Sequence, residues 1–488
     1  MRQLNSSEKP NAAHLVLLYH RSSLRMGSTL GVLLCACLFL SFFSPVSALA
    51  DSSDVSGECT DITKEARVFL NGVPGDYTAL RDRSISTKQK IQAGDTLKIT
   101  CEDPAAYLYM KFNRPPKPYS LTAGETEIRC GENGFLHELI PLDTPTREMT
   151  LQLDQTEICE LTLYSPGNLP KEVQRWNPPY EDADLLLLPT HADDEHIYFG
   201  GIMPLYAGEL GKKVQVAYLT NHWGEPYRPH ELLDGLWEVG VTAYPVLSEF
   251  PDYYSESLEH ARTLYDMEKM LGYQVELLRR FRPEVVVGHD VNGEYGHGVH
   301  RLNTWLLMQA IEQSEDASCY PDSALRYGTF QIQKTYLHLY PEHPLTMEID
   351  TPLSAFGGKT AYEKAVEGFS RHTSQQKYFT VREDGKYDCR KFGLYRTTVG
   401  FDTRNDLLEH VTFSDIPDVP ESSEMTSSEP VPSEVPPVSS SPVSFPETGG
   451  NAEDERPFRM ILILCGGLLA AVLILFFVQH RLRKKKRR

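Results

Sequence analysis

Positive charge is scarce in this chain. Lys and Arg total 48 against 67 Asp and Glu, for a formal net charge of −19 over 488 residues. So negative a surface argues against wholesale binding to nucleic acid. Part of the basic charge also sits in the last eight residues, Arg481 to Arg488, where a folded domain does not use it. Cysteine is scarce too, with 9 in all. Cys35, Cys37 and Cys465 fall in apolar end segments, which leaves Cys59, Cys101, Cys130, Cys159, Cys319 and Cys389 in the body. None of these forms a close Cys-x-x-Cys pair, which excludes a zinc knuckle. An even number permits disulfides in an oxidising compartment, and unpaired buried thiols are the alternative. No internal repeat is visible. The rest is ordinary for a globular protein, 41% apolar and 24% charged, with length enough for two or three domains.

The two ends read as targeting segments. Leu30 to Phe43 is an apolar run preceded by Arg21 and Arg25 and followed by Ala48-Leu49-Ala50. This is the pattern of a signal peptide over 1–50, with Met26 the better start; an uncleaved N-terminal anchor is the alternative. Near the other end, Met460 to Val478 is apolar throughout and long enough for a transmembrane helix, placed at 459–479. The basic tail 480–488 follows it and would stay cytoplasmic, leaving the body of the chain outside. Just before the apolar run stands Phe445-Pro446-Glu447-Thr448-Gly449. Pentapeptide, apolar run and basic tail together resemble the sortase sorting signal of Gram-positive surface proteins, although that signal usually begins with Leu. The resemblance implies cleavage after Thr448, covalent attachment to the cell wall, and sortase as a partner. An ordinary single-pass membrane anchor is the alternative.

Between the ends the texture changes twice. Residues 58–165 carry short alternating runs such as Ala66-Arg67-Val68-Phe69-Leu70 and Leu161-Thr162-Leu163-Tyr164. Period-two alternation between turn residues predicts a β-sandwich, jelly-roll-like and similar in pattern to galactose-binding-like modules. Exposed aromatics there could serve carbohydrate binding, though strand aromatics are more often core. Residues 181–413 read as an α/β domain. Ala183 to Pro189, Val214 to Thr220 and Glu284 to His289 are continuous apolar runs, as expected of strands buried on both faces. Helical periodicity lies between them, over Pro229 to Gly240 and Leu258 to Phe281. The expected fold is a Rossmann-like three-layer domain with a mainly parallel sheet. Residues 415–457, rich in Ser, Pro and Glu, read as a disordered stalk.

Chemistry-bearing groups cluster just past the predicted strands, where open α/β sheets bind ligands. His191-Ala192-Asp193-Asp194-Glu195 follows the first strand, with Gly200-Gly201 soon after. Thr220-Asn221-His222-Trp223-Gly224-Glu225 follows the second, and the run from His289 to His300 follows the third. A histidine and a carboxylate three residues apart can point at one ion from a tight turn. A histidine from another loop completes three protein ligands, which with an open position is the arrangement of a catalytic zinc.

His191-Ala192-Asp193-Asp194-Glu195 with Gly200-Gly201, then His297-Gly298-Val299-His300, resembles the PIG-L/LmbE family of zinc-dependent N-acetylglucosamine deacetylases. Arg282-Pro283-Glu284-Val285-Val286-Val287 is similar to the family as well. The likeness spans about Ala183 to Ala310. The family usually has Pro at the place of Ala192 and Pro-Asp at the place of Gly298-Val299, neither of which supplies a metal ligand. The resemblance implies Zn²⁺ held by His191, Asp194 and His300, other divalent ions being acceptable. It implies Asp193 as general base, His297 as the group that stabilises or protonates the tetrahedral intermediate, and Tyr295 leaning over the oxyanion. Arg228 would hold a substrate phosphate or hydroxyl, and Asp252 a sugar hydroxyl. His196 and His289 are expected to be supporting or structural. The implied substrate is an N-acetylated glycan or glycoconjugate. A non-catalytic surface glycan-binding protein or adhesin on the same scaffold is the alternative; such a protein would often have lost the base or a ligand, and all are present here.

Overall fold

The computed structural model describes residues 57–413. The expected signal peptide, stalk, sorting motif, transmembrane helix and basic tail lie outside those residues. Among the described residues no helix is long and apolar enough to cross a membrane.

The N-terminal part is all β. Its strands are β1 (Arg67–Leu70), β2 (Val73–Gly75), β3 (Gln89–Ile91), β4 (Thr96–Phe112), β5 (Tyr119–Ala123), β6 (Thr126–Cys130), β7 (His137–Gln152) and β8 (Thr156–Tyr164). Every pairing among them is antiparallel. The order β2-β1-β4-β7-β5-β6, with β3 and β8 joined through β4, makes one continuous ladder of eight strands rather than two separate sheets. Two long strands cause this. β4 takes up two of the expected short strands, and its register against β7 breaks between Thr100 and Tyr107. Pro104 in that break cannot donate a ladder hydrogen bond, so the strand bends there instead of ending. Leu97, Ile99, Leu108, Met110 and Phe112 alternate or run into the core and are fully buried. The aromatics Tyr109, Phe112, Tyr119 and Phe135 are buried as well, and no aromatic of this part is among the large exposed hydrophobics. These aromatics are therefore core. The six cysteines among the described residues are all free thiols.

The second part is built on a seven-stranded sheet in the order β11-β10-β9-β12-β13-β15-β14. β9 (Leu185–Leu187), β10 (Val214–Tyr218), β11 (Val246–Leu247), β12 (Val285–Gly288) and β13 (Lys334–His338) are parallel neighbours. β14 (Pro344–Thr346) and β15 (Lys391–Thr397) are antiparallel additions at one side. The parallel strands sort their side chains into two cores. Leu185, Leu187, Val214, Val216, Val285 and Val287 join one, while Leu186, Ala217 and Val286 join the other. Burial on both faces explains the unbroken apolar runs.

Helices cover both faces. α1 (Asp194–Ile197) is one turn; α2 (Arg228–Glu238) follows β10. The helical periodicity over Leu258 to Phe281 is carried by two helices, α3 (Leu258–Leu264) and α4 (Met267–Phe281). Asp266 separates them, accepting the Lys269 N–H as N-cap of α4. α5 (Gly298–Ser314), α6 (Pro321–Tyr327) and α7 (Ala361–Ser370) complete the set. α2 and α7 pack on the first core through Leu232, Leu236, Ala365 and Phe369. α4 and α5 pack on the second through Val275, Leu278, Leu302 and Leu306.

The two parts share a polar seam against α2. His137 Nε2 lies 2.7 Å from His230 Nδ1, and His137 Nδ1 lies 2.6 Å from Gln174 Oε1. The Tyr244 hydroxyl accepts the Leu136 N–H at 3.0 Å, and Arg114 donates to the Trp223 carbonyl at 2.7 Å. The β part thus buttresses the helix whose first residue is Arg228.

Candidate metal and catalytic site

In chain order the parallel strands stand third, second, first, fourth, fifth across the sheet. The connections therefore leave to opposite sides at the boundary of β9 and β12, which opens a crevice at their carboxyl ends. His191 comes from the loop after β9 and His300 from the first turn of α5 after β12. Asp252 follows β11 and His222 follows β10.

Three atoms form a near-equilateral set. His191 Nδ1 lies 3.2 Å from Asp194 Oδ2 and 3.0 Å from His300 Nε2, and His300 Nε2 lies 3.2 Å from Asp194 Oδ2. Four-coordinate zinc with bonds of about 2.0–2.1 Å holds its ligand atoms roughly 3.3 Å apart. The donor set fits a divalent ion in spacing and in chemistry, two imidazoles and a carboxylate. Asp194 is fixed in place because Oδ2 also accepts the His191 N–H at 2.7 Å.

Each imidazole has a carboxylate on its other nitrogen. His191 Nε2 lies 3.2 Å from Asp252 Oδ1, and His300 Nδ1 lies 3.1 Å from Glu294 Oε2. Such partners set the tautomer and orientation of metal-bound histidines. Asp252, expected on a sugar hydroxyl, lines the pocket and also stands against His191, with His222 Nδ1 3.7 Å from its second oxygen. Glu294 does more. It is fully buried, its Oε2 lies 2.8 Å from His289 Nδ1, and its Oε1 lies 2.8 Å from His338 Nδ1. His289 in turn approaches Asp194 Oδ2 at 3.4 Å and accepts the Thr190 N–H at 3.0 Å, a supporting position as expected.

The electrostatics follow from this ring of carboxylates. Burial alone would lower the His191 pKa, but Asp252 and Asp194 override it and raise it to about 9. The same carboxylates favour positive charge at that spot, whether a proton or a metal ion. Burial would raise Asp194, yet His300 and His191 hold it well below the usual carboxylate range. Asp193 goes the other way. Burial raises its pKa well above normal, Arg228 opposes this, and Asp194 and Glu195 add to it. Two adjacent carboxylates pushed apart in this way are suited to different tasks.

Asp193 sits at φ 128°, a left-handed backbone that a non-glycine residue adopts only under constraint. Its N–H donates to Glu195 Oε2 at 2.8 Å, which helps hold that turn. Arg228 was expected to hold a substrate group. Its guanidinium is buried, donates to the Ala192 carbonyl, and lies 3.4 Å from Asp193 Oδ1. Its nearest role is to the base. His297 is buried, and its Nδ1 has no hydrogen-bond partner. Burial, with His191 and His300 beside it, lowers its pKa to about 2. Tyr295, at φ 46°, is 42% exposed on the rim.

His191, Asp193, Asp194, Arg228, Tyr295 and His297 line a pocket of about 180 Å³, with Tyr254 and Phe379 at its mouth. All eight residues singled out from the sequence meet here. Glu294 and His338 were not singled out. Glu294 stood inside a quoted run but seemed one loop carboxylate among several; His338 ends β13 at the same sheet edge, which was the available signal.

The two departures from the family pattern have a local reason. The Ala192 N–H donates to His222 Nε2 at 3.2 Å, and the Gly298 N–H donates to the Ser255 carbonyl at 2.9 Å. Proline has no N–H and could make neither bond. A Cβ at residue 298 would also stand 2.1 Å from Ser255 Oγ.

No family model matches the chain. Among curated relatives, a 1D-myo-inositol 2-acetamido-2-deoxy-alpha-D-glucopyranoside deacetylase of Streptomyces avermitilis is 31% identical over 188 residues, 33% of this chain and 62% of that protein. A deacetylase of the same name from Geodermatophilus obscurus is 28% identical over 36% of this chain and 68% of its own length. A mycothiol S-conjugate amidase of Streptomyces coelicolor is 31% identical over 24% of this chain and 40% of its own. The chain thus spans about three fifths of the length of the first curated relative it matches. Among solved structures, an N,N'-diacetylchitobiose deacetylase of Pyrococcus horikoshii shares 18% identity over 40% of this chain and 72% of its own, at a TM-score of 0.30, too slight a likeness to build on.

Proposed function

We propose that the chain is a cell-surface, metal-dependent hydrolase that removes the N-acetyl group from an amino sugar of N-acetylglucosamine type. The observation that carries the reading is the triangle of His191 Nδ1, Asp194 Oδ2 and His300 Nε2 at 3.0–3.2 Å, with Asp193 beside it in one pocket. Its deacetylase relatives support the same reaction.

His191, Asp194 and His300 would hold Zn²⁺. When bound, the ion supplies Lewis acidity, activating water near neutral pH and polarising the acetyl carbonyl. Asp193 accepts the proton of the attacking water. Its raised pKa brings it toward the working pH, as suits a general base, and lets it return the proton to the departing amine. Arg228 keeps Asp193 oriented and opposes its protonation at rest. His297, which lines the pocket, would face the carbonyl oxygen as negative charge develops, with the Tyr295 hydroxyl above it. One such donor is worth about 10²–10³ in rate.

The exposed Tyr253, Tyr254, Tyr295 and Tyr378 favour a glycan laid across the pocket mouth. The apolar run near the N-terminus, the Ser/Pro/Glu-rich stretch, the Phe445 to Gly449 motif and the apolar run after it support a reading in which the domain works outside the cell, on a Gram-positive wall or membrane.

The test is an acetate-release screen over N-acetylated glycans, with and without chelator. Release that chelator abolishes is expected. Glycan binding indifferent to chelator, with no acetate from any glycan, would instead make the chain a non-catalytic adhesin.

A further inference from the structure

A second polar cluster lies behind the acidic loop, away from the pocket. Glu195 Oε1 is 3.2 Å from His372 Nε2 and 3.4 Å from His196 Nε2. All three side chains are fully buried. Yet Glu195 Oε1 and both ring nitrogens of His196 and of His372 lack a hydrogen-bond partner. Leaving a buried polar atom unpaired costs about 1–3 kcal/mol, so the three that come together, Glu195 Oε1, His196 Nε2 and His372 Nε2, call for an occupant.

The surroundings are shaped to leave that space. The rings of His196 and His372 stand edge to face, 5.4 Å apart. α2 and α7 each present glycine to them. A Cβ at Gly235 would fall 2.7 Å from His196 Nε2 and 2.9 Å from His372 Nε2. One at Gly368 would fall 2.4 Å from His196 Cε1. The phenol of Tyr218, on β10, is buried and lies near enough to Glu195 to have its ionisation opposed by it.

We propose that Glu195, His196 and His372 bind a second divalent ion of the zinc class, distinct from the one held by His191, Asp194 and His300. The 3.2 and 3.4 Å from Glu195 Oε1 to the two Nε2 atoms are distances of ligands sharing one such ion, and all three ligand atoms lie within 4.8 Å of one another. A buried carboxylate and two buried imidazoles are a donor set that zinc accepts. The role is structural. The ion ties the segment after α7 to the acidic loop, and it fixes Glu195, whose other oxygen holds the Asp193 N–H at 2.8 Å. This second site stands whether or not the chain is a deacetylase.

The experiment counts zinc in the purified full-length chain by mass spectrometry, after zinc loading and desalting. Two ions per chain are expected in the wild type, one in His300→Ala and one in His372→Gln. A single ion in the wild type, or none left in His300→Ala, would overturn the proposal, as would two retained in His372→Gln. Should His372→Gln not accumulate folded, anomalous diffraction at the zinc edge from the wild-type chain decides. A peak among Glu195, His196 and His372 supports the site; a water molecule there refutes it.

Discussion

Replacing Glu294 with glutamine keeps its shape and removes its charge. The carboxylate lies 2.8–3.1 Å from nitrogens of His289, His300 and His338. With a metal on His300 Nε2, the Nδ1 of that ring carries the hydrogen, and the nearest carboxylate oxygen is Glu294 Oε2 at 3.1 Å. A glutamine offers one acceptor oxygen and one donor group, so at most part of this arrangement survives. A charge-assisted hydrogen bond of this kind is worth about 1.5–3 kcal/mol. Partners of metal-bound histidines, when mutated, typically cost 10–100-fold in metal affinity, about 1.4–2.7 kcal/mol. Glu294→Gln should therefore weaken metal binding by roughly that range, measured by competition with a chromophoric chelator at pH 7.5. Circular dichroism at the same pH establishes that the variant is folded. A folded Glu294→Gln chain with wild-type metal affinity would refute the reasoning, because the carboxylate would then have no hold on the ligand.

Three further outcomes follow from the same geometry. Burial lowers the His230 pKa to about 3, below the ordinary value near 6.5. The unfolded chain then takes up a proton that the folded chain resists, so stability falls as pH drops below about 6.5; at pH 5 the loss is about 2 kcal/mol from this group. Thermal melts at pH 7.5 and pH 5 should show a shallower pH dependence in His230→Gln than in the wild type. Gly298→Pro, although it restores a family-like residue, removes the bond to Ser255 and drives a ring into it; it should lower the melting temperature by the equivalent of about 3 kcal/mol or more. Tyr254→Ala, at the pocket mouth, should raise KM for an extended N-acetylated glycan more than for a monosaccharide, as read from steady-state acetate release.

Much of the architecture was legible because burial writes itself into sequence. Leu185 to Leu187 and Val285 to Val287 are apolar at every position since each strand feeds two cores. The same signal could not show that β4 runs through Pro104 as one bent strand, nor that Asp266 divides α3 from α4, because both are decided by local backbone geometry. At the site, spacing and strand ends point to a cluster of histidines and carboxylates, and the choice of His191, Asp194 and His300 within it comes from the resemblance to the PIG-L/LmbE family. Partner assignments could not be read from the sequence. Asp252 and Arg228 are a carboxylate and a guanidinium lining the pocket, and only distance shows that they also stand against His191 and Asp193. Glu294 draws its importance from three histidines spread over 50 residues of chain, from 289 to 338, and no local pattern announces that convergence.

The most direct test of the account compares wild-type chain with Asp193→Asn for zinc content and for acetate release from an N-acetylglucosamine conjugate. The account predicts unchanged zinc at the site of His191, Asp194 and His300, and a fall in kcat of about 10²–10⁴, the usual contribution of a general base. Acetate release by Asp193→Asn at the wild-type rate would contradict it.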